Sequence, residues 1–295
     1  MTAETMSPPG TASARRRTGR AWPAAVPLLA FMAFAFGIPA VALLFGAFTV
    51  TDPASGRTFL GTANLAESLR GNYLTTLLGS VRLSAVVAAL GALLGALLAQ
   101  AVVTSSSAAL RGAVLSASGV LANFGGVPLA FLWVATLGNS GVVTTAFGLG
   151  ESGWSLYGFW GLVLVYMYFS VPLMVLVMAP ALEGLRPQWR EAADSSGASA
   201  WQYWRHVGVP VLAPSLLGGF VLLFGGAFAA YATAAAITGS TVPLVTLQIA
   251  DALTGDVLVG HENVALALSL DMVVVAGLVM AVHLPLQRRS SRWLR

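Results

Sequence analysis

The sequence contains no lysine and no cysteine. Without lysine the phosphate-binding loop GxxxxGK[ST] cannot be formed, so nucleotide hydrolysis by that motif has to come from another chain. Without cysteine, disulfides, thiolate metal sites and cysteine nucleophiles are excluded. Charge is scarce as well. Only 9% of the 295 residues are charged and 57% are hydrophobic, whereas roughly a quarter of a soluble domain is charged. With a mean hydropathy of +0.81, this balance specifies an all-α polytopic membrane protein. Histidine is rare, and His206 and His261 lack partners at ligand spacing, so no metal site is expected. The net charge of +4 is read as arginine holding helix ends against anionic lipid, with no nucleic-acid partner.

What is there is a succession of apolar runs. Six spans are expected, at about 22–50, 73–103, 112–137, 156–181, 215–237 and 264–286, forming one domain over 22–287. Residues 1–21 are small, polar and arginine-terminated and read as a disordered tail. Residues 288–295 form a basic tail. The first run is too long for a signal-peptide core of about 7–15 residues and is read as a retained helix, kinked near Gly37, Ile38 and Pro39. In the second, Gly91 and Gly95 form a GxxxG pair that admits a close helix neighbour. The third is interrupted by Asn123-Phe124-Gly125-Gly126-Val127-Pro128. Such a break frees backbone groups that lipid cannot satisfy, which places it at a protein-lined pathway. A proline kink against a neighbour is the alternative.

Orientation follows from the arginines. Arg15, Arg16, Arg17, Arg20, Arg111, Arg186, Arg190, Arg205, Arg288, Arg289, Arg292 and Arg295 fall on one side, and Arg57 and Arg70 on the other. The positive-inside pattern puts both termini in the cytoplasm of a bacterial-type plasma membrane. Two charges fall within spans. Arg82 lies ~14 Å and Asp271 ~10 Å from the outer ends of their helices at the standard rise. Intramembrane charges are costly and tend to pair or to meet substrate. The expectation is an Arg82–Asp271 ion pair, and the rival is Asp271 facing a cationic solute. Tyr231, Thr233, Asn123 and Gln100 are the polar side chains expected toward a shared interface, with helix–helix hydrogen bonding as the plainer alternative.

The longest polar interval on the arginine-rich side is EAADSSGASAWQYWRHVGVPVLAP, from Glu191 to Pro214. Glu191-Ala192-Ala193 reads as the first turn of a short helix, with the acid opposing the dipole. Alanine gives that helix a smooth face. Gly197 turns the chain, Trp201 and Trp204 share one face of a second helical piece, and Pro187, Pro210 and Pro214 bound the unit. The spacing of Glu191-Ala192-Ala193, Gly197 and Val207-Gly208-Val209-Pro210 resembles the EAA---G---------I-LP signature of ABC importer permeases. Val207 and Val209 replace the usual Ile and Leu, and Ser196 stands where many relatives have Asp.

This resemblance implies a type I importer permease fold and an ATP-driven, binding-protein-dependent importer. It implies a paired second permease, an ABC ATPase dimer that uses ATP and magnesium, an external solute-binding protein, and no catalysis in this chain. It also implies that Glu191, Ala192, Ala193, Gly197 and Pro210 couple to the ATPase. Tyr231 to Gly239, followed by Pro243-Leu244-Val245, resembles permeases grouped with spermidine/putrescine-type importers. The alternative is a secondary transporter driven by an ion gradient, which would need several intramembrane carboxylates or repeated half-helices. An intramembrane enzyme would need a constellation of catalytic groups at membrane depth, and none is visible.

Overall fold

A computed structural model describes residues 22–52, 57–239, 241–254 and 261–291, with side chains outside 22–25, 261–262 and 287–291. The expected tail at 1–21 and the last four residues, with their arginines, lie outside the described residues. Among the described residues, six helices are long and apolar enough to cross a membrane: Val26–Phe48, Gly71–Val103, Gly126–Phe147, Phe159–Glu183, Ala200–Ala229 and Asn263–Leu286.

The chain divides after Leu43 into two units. The first carries α1 (Trp22–Met32), a π-helical segment Ala33–Gly37 and the start of α2 (Ile38–Phe48). Pro39 has no N–H to offer the carbonyl four residues back. The helix widens just before it, where a kink was expected. Phe31, Phe34 and Phe36 are all exposed, as suits a helix solvated by lipid.

The second unit begins with a hairpin, β1 (Thr49–Thr51) and β2 (Thr58–Leu60), paired antiparallel with Val50 opposite Phe59. Next come α3 (Ala63–Ser68) and the 33-residue α4 (Gly71–Val103). At the standard rise α4 is ~50 Å long, more than the ~30 Å hydrocarbon core requires. Then follow α5 (Ala108–Leu121), α6 (Gly126–Leu137), α7 (Val142–Phe147) and α8 (Phe159–Glu183). The chain continues with α9 (Pro187–Ser195), α10 (Ala200–Tyr203), α11 (Val209–Ala229), α12 (Ala232–Thr238), α13 (Val245–Thr254) and α14 (His261–Ser291).

The core of this unit is the seam of α4 with α8, flanked by α11. Gly91 and Gly95 make it possible. A Cβ on Gly95 would overlap Met174, and one on Gly91 would press Ser170 and Leu223 at 3.1 and 3.0 Å. Leu83, Val87, Leu162, Val165 and Tyr166 are buried toward one end of the seam, and Met174, Met178, Leu223 and Phe224 toward the other.

Three expected boundaries change. The span read at 112–137 is two helices, α5 and α6, separated at Ala122–Gly125, and its apolar length continues into α7. The span read at 215–237 starts earlier, because α11 runs back through a π-helical segment, Trp204–Gly208, to α10. It also ends earlier: the helix stops at Ala229 and resumes as α12. No proline or glycine marks this second break. It exists because Ala230 is held by tertiary contacts, described below. The loop expected at 238–263 contains α13, whose Val245 and Leu247 are buried. Ser80 Oγ accepts the Val245 N–H at 2.8 Å, and Gly79 leaves room for the Pro243 carbonyl.

Gly95→Leu is expected to overpack the α4–α8 seam and destabilise the protein by about 1–3 kcal/mol. Gly112→Ala, with open space around it, should leave the thermal midpoint in detergent unchanged or slightly raised. Equal midpoints for Gly95→Leu and wild type would show that the seam is not close-packed.

Candidate functional site

The polar interval folds as two short helices around one glycine. Pro187 opens α9 in its first turn and does not end α8, which is capped at Gly184. Proline suits a first turn because its missing N–H has no acceptor there. Glu191 is therefore the fifth residue of α9 and not part of its first turn, so it faces no helix dipole end. Gly197 adopts φ +72°. The Ala198 N–H reaches back to the Ala193 carbonyl at 3.0 Å, a Schellman-type closure that requires a left-handed residue at this point. Ser196 Oγ donates to the Ala192 carbonyl at 2.8 Å.

Beyond the turn, Ser199 and Gln202 form a capping box. The Gln202 N–H donates to Ser199 Oγ, and the Ser199 N–H donates to Gln202 Oε1 at 2.7 Å. The two tryptophans differ in exposure. Trp201 is 72% exposed, whereas Trp204 stacks edge-on against Tyr203 and fills the space beside Gly208, where a Cβ would overlap it. From Trp204 to Gly208 the helix widens into a π-helical segment. Pro210 falls in the first turn of α11.

Between α9 and the start of α11 lies a groove of about 810 Å³, lined among others by Trp189, Ala192, Ala193, Ser196, Val207 and Pro210. The two alanines keep its floor open, and a larger side chain at either would fill it. Glu191 and Gly197 are exposed beside it. Arg190 holds the two helices together, pairing with Asp194 at 3.4 Å and lying 5.1 Å from the Tyr203 ring. Arg111 joins the same end of the unit. It donates to the Val103 carbonyl at 2.8 Å and pairs with Glu183 at 3.7 Å. The sequence pointed to Arg111 and Arg190 only through orientation. Arg190 and Asp194 are an i,i+4 pair within α9 and so share a local pattern, whereas Glu183 and Tyr203 come to Arg111 and Arg190 only through tertiary packing.

At mid-chain the two helix breaks meet. Thr233 is buried. Its hydroxyl accepts the Gly126 N–H at 3.0 Å and lies 3.3 Å from the Gly126 carbonyl. Ala230, in the other break, has its carbonyl within reach of the Tyr166 hydroxyl at 3.3 Å and the Thr246 hydroxyl at 3.4 Å. Around this junction Asn123, Phe124, Gly125 and Tyr231 are exposed. Asn123 turns its amide back onto the Gly119 carbonyl at 2.8 Å.

Arg82 and Asp271 are not brought together. Arg82 lies 4.9 Å from the Phe159 ring, at the start of α8. Asp271 faces the Ser68 hydroxyl on α3, with one carboxylate oxygen buried and unpartnered. The two helices share α11, α13 and α3 as neighbours, but Arg82 sits on the side of α4 toward α8 and Asp271 on the side of α14 toward α3. Similar depth is no substitute for adjacency. Gln100 accepts the Thr104 amide and hydroxyl through its backbone carbonyl. Among the described residues no cluster of three or more histidines or acids could hold a metal.

A family model described as "Binding-protein-dependent transport system inner membrane component" matches residues 91–292. The probable sulfate transport system permease protein cysT of Chlorella vulgaris is 31% identical over 109 residues, covering 33% of this chain and 41% of that protein. The spermidine/putrescine transport system permease protein PotC of Escherichia coli (strain K12) is 28% identical over 92 residues, covering 31% and 35%. The matched stretches thus span less than half of either relative. A chain of a bacterial ABC transporter involved in the import of the acidic polysaccharide alginate superposes with TM-score 0.69 at 18% identity. That match covers 91% of this chain and 94% of the other, so the folds agree.

Thr233→Val keeps the shape of the junction but removes the acceptor of the Gly126 amide. An unpaired buried amide costs about 1–3 kcal/mol. Amide exchange at Gly126 is expected to rise at least ten-fold while the α4–α8 seam is unchanged. Unaltered exchange would mean that this bond does not hold the breaks together.

Proposed function

The chain belongs to the binding-protein-dependent transport system inner membrane component family, and from that premise we propose that it is the membrane-spanning permease subunit of an ATP-driven importer. One observation carries the reading. The groove-bearing α9–Gly197–α10 unit runs without a loop, through the π-helical joint, into α11. A push on the groove therefore displaces a membrane-crossing helix, and the far end of that helix leads into the break that contacts α6 through Thr233. A docking surface is in this way wired to the pathway side of the fold.

ATP and magnesium are used by a partner ATPase, which seats in the groove floored by Ala192 and Ala193. Glu191, Gly197 and Pro210 shape and edge that seat. The arginine-rich end, with both termini, faces the cytoplasm. An extracytoplasmic solute-binding protein delivers solute to the opposite face. A second permease of similar fold, as a homodimer or heterodimer partner, covers the exposed junction at Asn123, Phe124 and Tyr231, because irregular backbone at membrane depth has to be buried in protein or line a watery path. The grouping with spermidine/putrescine-type importers rests on Tyr231 to Gly239 and Pro243 to Val245. The names of the relatives differ in solute, so a ligand screen on the partner binding protein assigns it. An ion-gradient mechanism would call for carboxylates at the breaks. Among the described residues the junction is held by the hydroxyls of Thr233, Tyr166 and Thr246.

In the reconstituted complex, Gly197→Trp forces a bulky residue into a left-handed conformation, and Glu191→Lys reverses the charge beside the groove. Both variants should insert and assemble normally, keep ATP hydrolysis, and lose at least ten-fold in solute uptake. Wild-type uptake by both would reduce the segment to a connector.

A further inference from the structure

Away from the groove and the breaks, a crevice of about 500 Å³ opens between α4, the start of α8 and the turn at 241–243. That is the size of a small-molecule site. Short contacts fix its shape. The Thr241 hydroxyl donates to the Tyr157 carbonyl at 2.9 Å, Ser155 Oγ accepts the Tyr157 N–H at 3.2 Å, and the Pro243 carbonyl closes in on Gly79. The charge in the crevice is Arg82, and neither aspartate nor glutamate lines it. A cation ~14 Å into a span is costly unless it is paired. Among the described residues the Arg82 guanidinium meets no carboxylate and no hydrogen-bond acceptor; it lies 4.9 Å from the Phe159 ring.

The other polar groups left free on the wall are donors too. Ser155 receives the Tyr157 N–H and keeps its own hydrogen. Trp160 is 62% exposed, and its indole N–H has no acceptor among the described residues. The Thr241 hydrogen is spent on the Tyr157 and Thr238 carbonyls, and the Tyr157 hydroxyl is turned to Gly138. One cation, two neutral donors and no acid are complementary to an anion that accepts several hydrogen bonds. A guanidinium fork matches two oxygens of a carboxylate, sulfate or phosphate at once. We propose that this crevice is an oxyanion site, in which Arg82 holds a carboxylate, sulfate or phosphate group and Ser155 and Trp160 complete its hydrogen bonds. The group arrives on a small free anion or on the headgroup of an anionic phospholipid, and both present the same oxygens to Arg82. The site is a property of this chain alone and stands apart from its coupling to an ATPase.

Phenylglyoxal modification of arginine, read by peptide mass spectrometry on the full-length wild-type chain, tests this without a variant. In neutral detergent, millimolar inorganic sulfate should slow modification of Arg82 at least ten-fold relative to chloride at equal ionic strength. The exposed Arg205 should react at an unchanged rate. Dioleoyl phosphatidylcholine nanodiscs, with and without dioleoyl phosphatidylglycerol, separate the two sources. Protection by phosphatidylglycerol in the absence of sulfate assigns the group to a lipid headgroup, and protection by sulfate alone assigns it to a free anion. Trp160→Phe keeps a ring and removes the N–H, and should raise the amount of the protecting anion needed for half-protection at least three-fold. Protection by neither sulfate nor phosphatidylglycerol, equal slowing at Arg82 and Arg205, or a Trp160→Phe response equal to wild type would overturn the site.

Discussion

In hydrocarbon a backbone N–H or C=O has no water to fall back on, and the fold of this protein is arranged around that constraint. Most of the chain satisfies it with uninterrupted helix. Among the described residues two breaks inside the apolar runs do not: the one before α6 and the one before α12. They are tolerated because they are set against each other and against neighbouring hydroxyls. Gly126 gives its amide to Thr233, and the Ala230 carbonyl lies against Tyr166 and Thr246. Each break would be untenable alone. Together they form a junction of short helices beside a rigid seam, which is a suitable place for a structure that has to change shape without unfolding.

The rigid part is the α4–α8 seam. Gly91 and Gly95 remove side chains where Ser170 and Met174 need to pass, so backbones approach closely and dispersion contacts replace the hydrophobic drive that lipid does not supply. Against this seam α11 is differently built. It begins in the polar segment, passes through a π-helical joint at Trp204–Gly208 and ends at a break. Gly208 lets Trp204 lie flat on the helix, and Arg190 ties α9 to Tyr203. The polar unit is thereby joined to α11 without an intervening loop.

Much of this was legible in the residues. The absence of lysine excluded a GxxxxGK[ST] phosphate loop from this chain. The arginine distribution separated two faces, and the glycine pair announced a close helix contact. Gly125-Gly126 and Pro128 marked the first break, because those residues alter the backbone locally. Gly197 was legible for the same reason, since its left-handed conformation is a property of the residue itself. The second break was not. Ala230 and Tyr231 sit among alanines that would continue a helix, and no local chemistry stops it. Only the pull of distant hydroxyls does.

The same division explains Arg82 and Asp271. Depth in the membrane can be counted along a helix, and both counts suggested a pair. Which way a side chain faces around its helix is set by packing, and Arg82 turns to Phe159 on α8 whereas Asp271 turns to Ser68 on α3. The sequence by itself determined the medium, the number of crossings, the turn at Gly197 and the spacing of the polar segment around it, because each depends on one residue or on a short periodic run. The tertiary structure alone decided which break meets which, where α11 begins and what Arg82 and Asp271 face. Those are contacts between residues far apart in the chain, and they depend on how the helices pack.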